Sequence, residues 1–447
     1  MRGTPGDERT ENGDAHAAME PRALLASASA TLEAFTRART PTHAELFLRV
    51  ERRLSLEHDA GAATLNHGES WDAAARVAWD ERRGHAALPL GSPTDLERVL
   101  ESAERHAAPG AGGPLPVLTV GPTDVPAGPP VLQPERAAKR MEHLLQSAVP
   151  QGTLVQAAVL TQVADWSALI RESGTRRVST GWREELFIRC ETARGAVVDA
   201  VASAREEDEE DFDALRVRLA EAVEALEGPA ETANPELPLV LRPAVAAPLV
   251  AGLIWLLRGD VAAATPALAR AVGRKVFPSV LGVVDDPHHP RGTRHRSVDD
   301  EGVPMHAQSF VEEGRLLGFL HSASTAARLG STGGGRGLRA ASAPPSPEGV
   351  NPYVVPRGTV LPEHYTELVA RVETFTTMPR PGTVTLVAAG WEVRAGQRVR
   401  RVAPMELDLP VLETFRALRG VGSDLTFFPT AEGCGTPTLV LPPYKAG

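Results

Sequence analysis

Apolar positions recur at helical spacing from Pro21 to Arg37, where Leu24, Leu25, Ala28, Leu32 and Phe35 share one face. The period then changes. In "AELFLRVERRLSLEHDA" (44–60) Leu46, Leu48 and Val50 share a parity that Leu54 and Leu56 continue, which predicts one or two strands with one buried face. "ESWDAAARVAWDE" predicts another strand around Arg76 to Trp79. A helix follows in "SPTDLERVLESAERH", with Ser92 as N-cap, Pro93 at the first helical position and Asp95 near the positive end of the dipole. Leu96, Val99, Leu100 and Ala103 form its apolar stripe. Residues 108–133, rich in Gly and Pro, read as a loop. A second helix is expected from Pro134, with Ala137, Met141, Leu144 and Leu145 inward. Residues 152–201 read as an antiparallel meander with turns at "ESGT" and "STGW". A helix with Phe212, Leu215, Leu219, Val223 and Leu226 at helical spacing closes this half, and Gly228 ends it.

"PAETANPELP" (Pro229 to Pro238) has linker composition, and beyond it the texture changes. "AVAAPLVAGLIWLL" (Ala244 to Leu257) is apolar on every face and predicts a buried helix. The remainder, including "SVLGVV", "MHAQSFVEEGRLLGFL", "GTVTLVAAGWEVRAGQRVRRVAP" and "TPTLVLPP", reads as strand and turn, interrupted by helices near His364–Val372 and Pro410–Arg419. No repeat of fixed period is present. The expected organisation is a polar disordered tail (1–20), a mixed N-terminal domain (21–228), a linker (229–238) and a β-rich C-terminal domain (239–447). The fold class is α+β, the C-terminal domain being a strongly curved antiparallel sheet or barrel-like assembly around the Ala244–Leu257 helix.

Composition narrows the function classes. A chain of 447 residues exceeds one ordinary core. A net charge of −10 with only 4% aromatic residues argues against a nucleic-acid surface, which needs basic patches or stacking platforms. Two cysteines, Cys190 and Cys434, are too few for a secreted disulfide framework and point to a reducing cytoplasm. The longest apolar run, 14 residues, is the length of a buried helix rather than a membrane span.

"DDPHHPRGTRHRSVDDEG" (Asp285 to Gly302) packs three histidines and five carboxylates into 18 residues. A metal reading would use His288, His289, His295 and a carboxylate. The solvated-loop reading is stronger: prolines bracket the His pair, and no two histidines stand at helical or strand spacing. "DDEG" suits a turn in which Gly302 takes positive φ. "GSTGGGRGLR" (Gly330 to Arg339) contains Gly333, Gly334 and Arg336 but lacks the lysine of a phosphate loop and the strand and helix of a dinucleotide site. It reads as a structural loop, with a peptide-backbone contact as the lesser alternative. Cys434 has no histidine at a recognisable spacing and reads as a buried or loop cysteine. No nucleophile elbow and no HExxH zinc helix occurs.

The order "LRPAVAAPLVAGLIWLLRGD", "VFPSVLGVVDDP", "VDDEGVPMHAQSFVEEGRLLGFLHSASTAARLG", "STGGGRGLRA", "NPYVVPRGT", "GTVTLVAAGWEVRAGQ" and "GCGTPTLVLPP" resembles the TldD/PmbA family, whose members were named as modulators of DNA gyrase. The resemblance spans roughly residues 40 to 445, most specifically Val284 to Gly330. It implies a cytoplasmic two-subunit metallopeptidase built from one TldD-type and one PmbA-type (TldE) chain. In the TldD-type chain a zinc helix carries HExxxH and a later cysteine completes the site. At the matching place this sequence reads "AGLIWL" (Ala251 to Leu256), without imidazole or carboxylate, and "GCGTPTLVL" matches a terminal strand beyond the ligand cysteine. The resemblance therefore implies a PmbA/TldE-type subunit that holds no metal and shapes the substrate channel of a zinc peptidase or amidase, a biosynthetic setting being permitted and zinc being expected on the partner. Asp299, Asp300, Glu301 and Gly302 then either line a shared cavity or hold their loop, the second being favoured. Two rival classes stay open: a self-contained hydrolase with a metal site at 285–301, and a non-enzymatic binding or scaffold protein.

Overall fold

The structure is a computed structural model, and it describes residues 20–59, 62–109, 128–204, 212–339, 343–372, 382–429 and 433–444. The chain opens with α1 (Pro21–Arg39), β1 (His43–Asp59), β2 (Ala62–Trp79), β3 (Arg82–Pro89), α2 (Asp95–Arg105) and β4 (Ala108–Pro109). It continues with α3 (Pro134–Ser147), β5 (Leu154–Arg171), β6 (Arg176–Glu191), β7 (Val197–Ala204) and α4 (Asp213–Leu226). The strands form one seven-stranded sheet in the order β4-β3-β2-β1-β5-β6-β7, every pair antiparallel.

β1 is a single long central strand, and its alternation sets the architecture. Leu46, Leu48 and Val50 are buried beneath α1 and α2, with Leu24, Leu32, Leu96 and Leu100. Leu54 joins a second core with Ala137, Met141 and Leu144 of α3 and Leu215 and Leu219 of α4. The opposite parity is not solvated: Glu45, Phe47 and Arg49 are buried too. They face the C-terminal half, so the expectation of one buried face holds only for the helix side.

Several local readings are corrected. Ser92 is not an N-cap: a turn precedes α2, Thr94 occupies the cap position, and the Asp95 carboxylate accepts from Gly91 N–H and Ser92 N–H at 2.9 and 3.0 Å. "STGW" is not a turn but the interior of β6, where a Cβ on Gly181 would stand 2.6 Å from Asp165 Oδ1 on the paired strand. Glycine there makes room for a neighbour rather than breaking the strand.

The second half comprises β8 (Pro238–Leu241), α5 (Pro243–Leu256), α6 (Gly259–Ala264), α7 (Pro266–Ala269), β9 (Val283–Asp285), β10 (Gln308–Glu312), β11 (Arg315–Leu316) and α8 (Ala323–Arg328). There follow β12 (Gly337–Leu338), β13 (Ser346–Pro347), β14 (Pro352–Val354), β15 (His364–Arg371), β16 (Thr383–Arg394), β17 (Gln397–Pro410) and α9 (Val411–Arg416). The described chain ends with β18 (Gly420–Val421), β19 (Thr426–Phe427), β20 (Gly435–Thr436) and β21 (Leu439–Pro443). Two six-stranded sheets, β11-β10-β9-β14-β20-β19 and β17-β16-β15-β8-β21-β18, contribute to one core with α5: Val245, Leu249, Val250 and Leu253 pack among Val283, Phe310 and Val354 of the first and Leu241, Leu368 and Leu386 of the second. The fold class is α+β as read, but neither sheet closes into a barrel, and each contains a parallel pair, β14 with β20 and β8 with β15.

Residues 364–371 form a strand, not the helix expected there. β15 is an interior strand with α5 and α4 packed against it, so Tyr365 to Ala370 are all buried. Burial on both faces removes the alternation that identifies a strand. Its Glu367 is neutralised by Arg242 and Arg398, at 2.6 and 2.8 Å. No helix among the described residues is long and apolar enough to cross a membrane.

Candidate functional site

The carboxylates at the end of the Asp285–Gly302 stretch lie between the two halves of the molecule. Glu45 on β1 stands between Arg76 of β2 and Arg171 of β5 in the strand register, and pairs with both. Arg339 reaches the same carboxylate from the C-terminal half at 3.2 Å. Arg76 also donates to Glu301 Oε1 at 2.9 Å, and Arg49 to Asp300 Oδ2 at 3.0 Å. Arg296 takes the other Asp300 oxygen at 2.7 Å. Burial alone would raise the pKa of Asp300, but Arg296 and Arg49 outweigh it and hold the carboxyl below its ordinary value. Glu45 is likewise held low against burial by Arg76, Arg339 and Arg171.

Asp299 turns inward to its own loop. Its Oδ1 accepts from Glu301 N–H and Val303 N–H at 3.0 and 2.8 Å, and its Oδ2 accepts from Gly337 N–H at 3.0 Å. Burial and the adjacent Glu301 charge push it up to about 8. Gly302 has φ +80°, the left-handed value that the "DDEG" turn requires. The three histidines do not converge on one point. His288 and His295 are exposed and touch each other, Nδ1 to Nε2 at 2.8 Å, while His289 lies with its ring centroid 5.1 Å from Tyr353 and 4.8 Å from Phe427. Among the described residues no three His, Cys, Asp or Glu side chains are grouped as metal ligands.

In the Gly-rich run, Gly333 and Gly334 have no close backbone approach to a neighbour. The constrained glycines are Gly330 and Gly335, at φ +61° and +79°, and Gly337, where a Cβ would stand 2.2 Å from Glu301 Oε2. Arg336 is a buried strut: it pairs with Asp285 and donates to the carbonyls of Gly335 and His306 at 2.7 and 2.6 Å. Asp285 in turn accepts from Val350 N–H and Asn351 N–H at 2.9 and 2.7 Å. Cys434 is buried with its Sγ 3.6 Å from the Ala247 carbonyl of α5.

None of Asp299, Asp300, Glu301, Gly302, Gly333, Gly334 and Arg336 lines the cleft beside α5. That cleft, about 380 Å³, runs along α5 and is walled by Ala251, Gly252, Ile254 and Trp255, with Thr293, Arg294, Glu348 and Val350 opposite. Ala251, Ile254, Trp255 and Leu256 are only half-buried, so the reading of α5 as buried on every face is corrected: one face is core and one borders a cavity. Sequence reasoning places the absent family motif at Ala251–Leu256 and so points to this helix, but it gives no signal for the opposite wall. The cleft-facing side chains of α5 offer no metal-ligating atom. A Cβ on Gly252 would stand 2.9 Å from Val411 Cγ2 and 3.2 Å from Val384 Cγ2, so a larger residue there meets packed core. The residues present do not fit a zinc ion, and no chemical step is derived through one.

Arg294 is the notable polar feature of the cleft. Its peptide is clamped by the buried Asn351, which accepts from Arg294 N–H at 3.1 Å and donates to Arg294 O at 2.8 Å. Its guanidinium has no hydrogen bond or ion pair with a described residue, whereas Arg258, which also lines the cleft, is held by Asp260 at 2.8 and 3.1 Å. Burial, with the like charges of Arg183 and Arg296, lowers the Arg294 pKa against the opposing effect of Glu348 and Glu185.

Comparison with known proteins adds family and fold. Residues 234–445 match the family described as PmbA/TldA metallopeptidase C-terminal domain. A metalloprotease of Synechocystis sp. is 27% identical over 173 residues, which is 37% of this chain and 36% of that relative's length. The TldE protein of Thermococcus kodakarensis superposes with a TM-score of 0.78 at 17% identity, over 92% of this chain and 98% of its own. A Thermotoga maritima protein named as a modulator of a DNA gyrase gives 0.78 at 17% identity over 94% and 99%. A similarly named protein of Bacteroides thetaiotaomicron gives 0.72 at 14% over 93% and 97%.

Proposed function

Because the chain belongs to the TldD/PmbA family of metallopeptidase-like proteins, we propose that it is the PmbA/TldE-type, metal-free subunit of a heterodimeric zinc peptidase or amidase of the cytoplasm. In this reading a TldD-type chain carries the HExxxH helix, the zinc ion and the glutamate base. This chain supplies one wall of the channel and holds substrate backbone to backbone by strand addition. The observation that carries the reading is α5. The helix borders an open cleft, yet the side chains it turns there, Ala251, Ile254 and Trp255, can neither bind a metal nor polarise water. The chain's carboxylate-rich segment, 299–301, is taken up by ion pairs that join the two halves and by backbone hydrogen bonds within its own loop. A fold retained without reactive groups contributes shape and contact.

Co-expression with a TldD-type chain, followed by size exclusion, metal analysis and a peptide-cleavage assay, tests this. A stable heterodimer is expected, with an interface on the order of 2,000 Å² or more, no stoichiometric zinc on this chain alone, and cleavage only by the mixture. Full activity from the partner alone, or zinc-dependent activity from this chain alone, refutes the subunit reading.

A further inference from the structure

We propose that the cleft beside α5 is itself a binding site for a peptide segment carrying a carboxylate next to an apolar side chain, the carboxylate being taken by Arg294 and the apolar group laid against Ile254 and Trp255. The inference goes beyond the subunit reading and stands on this chain alone, whether or not a partner completes a peptidase.

Three observations carry it. The cleft has the size of a small-ligand site, about 380 Å³, and one wall is apolar helix. Arg294 is placed on the other wall by a built backbone clamp. Asn351, itself buried, holds both the N–H and the carbonyl of Arg294, and Gly292 lies so close that a Cβ would stand 2.5 Å from Asn351 Cγ. The third observation is charge. Arg183 pairs with Glu185 at 3.2 Å and Arg296 with Asp300 at 2.7 Å, so the cations near Arg294 are committed, while among the described residues no carboxylate stands within ion-pair distance of Arg294. A half-buried guanidinium without a partner is costly, and a carboxylate matches its planar donor fork in two parallel bonds. Glu348 also lines the cleft, but it is exposed at the rim, where its charge is solvated. Thr293 also lines the cleft. No atom in the site is placed to break a bond, so the proposal is recognition, not reaction.

The carboxylate can be a chain terminus or an acidic side chain, and the probes separate the two. The full chain is titrated by calorimetry with acetyl-Ala-Ala-Leu as free acid and as amide, and with the amides of acetyl-Ala-Glu-Leu and acetyl-Ala-Gln-Leu. The expected result is binding of at least one carboxylate peptide about ten-fold or more tightly than its neutral counterpart, weakening as salt is raised. A preference in the first pair assigns the terminus, and one in the second pair assigns the side chain. Arg294→Gln is expected to reduce the preference to within about two-fold, and Arg294→Lys to restore part of it, each variant being checked for an unchanged melting temperature. Equal affinity within both pairs on the unaltered chain overturns the proposal, as does binding of none of the four at millimolar concentration. A preference that survives Arg294→Gln overturns it as well. The comparison on the unaltered chain decides the question even where a variant folds poorly.

Discussion

Arg49 of β1 donates to Asp300 at 3.0 Å with both side chains buried, and the contact joins the N-terminal sheet to the loop that follows the histidine-rich stretch. Asp300 also holds Arg296 and accepts from Arg339 N–H at 2.7 Å. Removing the carboxylate takes the direct anionic partner from two guanidinium groups, leaving Arg49 its bond to the Arg339 carbonyl at 2.8 Å and Arg296 the more distant Asp165 at 3.7 Å. Asp300→Ala is therefore expected to cost about 3–5 kcal/mol, the range for breaking one side of a buried ion pair. Denaturant unfolding followed by tryptophan fluorescence measures it. A loss below about 1 kcal/mol would show that the interface relaxes around the vacancy.

Asp299 makes a contrasting prediction about pH. Its folded-state pKa is raised to about 8, whereas an unfolded aspartate ionises near 4. Between those values the folded state holds the extra proton. The Asp299 contribution therefore favours folding least at alkaline pH: stability drops as pH rises from about 4 to about 8 and is level above that. Asp299→Asn removes the titration, at the expense of the hydrogen bond from Gly337. The stability difference between native protein and variant should move against the native protein between pH 5 and pH 8. A difference that stays constant over that window contradicts the raised pKa.

The sequence makes the helices and the outer architecture legible because each has one wet and one dry face. Leu24 to Phe35 and Leu96 to Ala103 are read at helical spacing, and both stripes are buried. Legibility fails where both faces are dry. Glu45, Phe47 and Arg49 belong to the face of β1 that alternation assigns to solvent, and β15 loses its alternation altogether. It fails again for long-range pairing. Asp300 is recognisable as a carboxylate beside a Gly turn, but its partner Arg49 lies 251 positions away in the sequence and carries no local signal. Arg294 is hidden for the same reason: nothing near it in sequence marks it as the cation of the cleft, because its clamp, Asn351, is 57 positions distant. The glycine run shows a finer limit. Composition singles out Gly333 and Gly334, while positive φ and close packing select Gly330, Gly335 and Gly337.

The cysteines yield a simple chemical test. Cys190 and Cys434 are both buried and are not joined in a disulfide, and burial pushes the Cys190 thiol up to about 11. Cys190 is held as the thiol near neutral pH, and Cys434 is shielded from solvent. Native protein should react with a disulfide-exchange reagent only at the rate of its unfolding, and both thiols should react at once in denaturant. Rapid labelling of one thiol in the native chain would place that cysteine in contact with solvent, against this structure.

The last prediction concerns the helix that borders the cleft. Gly252 packs between Val411 and Val384, with 2.9 and 3.2 Å left for a Cβ. Gly252→Glu must push a carboxylate past two valines whose neighbours, Leu249 and Leu253, are themselves fully packed. Overpacking costs about 1–3 kcal/mol, and a buried carboxylate without a partner adds to it. Ala251→His, by contrast, starts from a half-buried position facing the cavity and should cost less, because the imidazole has open space and water beside it. The triple replacement Ala251→His, Gly252→Glu, Leu256→His should therefore melt well below the single Ala251→His, and should bind zinc weakly, since the strained carboxylate drags the helix out of register with its core. Thermal unfolding and zinc titration of the two variants measure this. A triple variant as stable as the native chain and tight for zinc would mean that the cleft retains the geometry of a metal site, and that only the side chains have been lost.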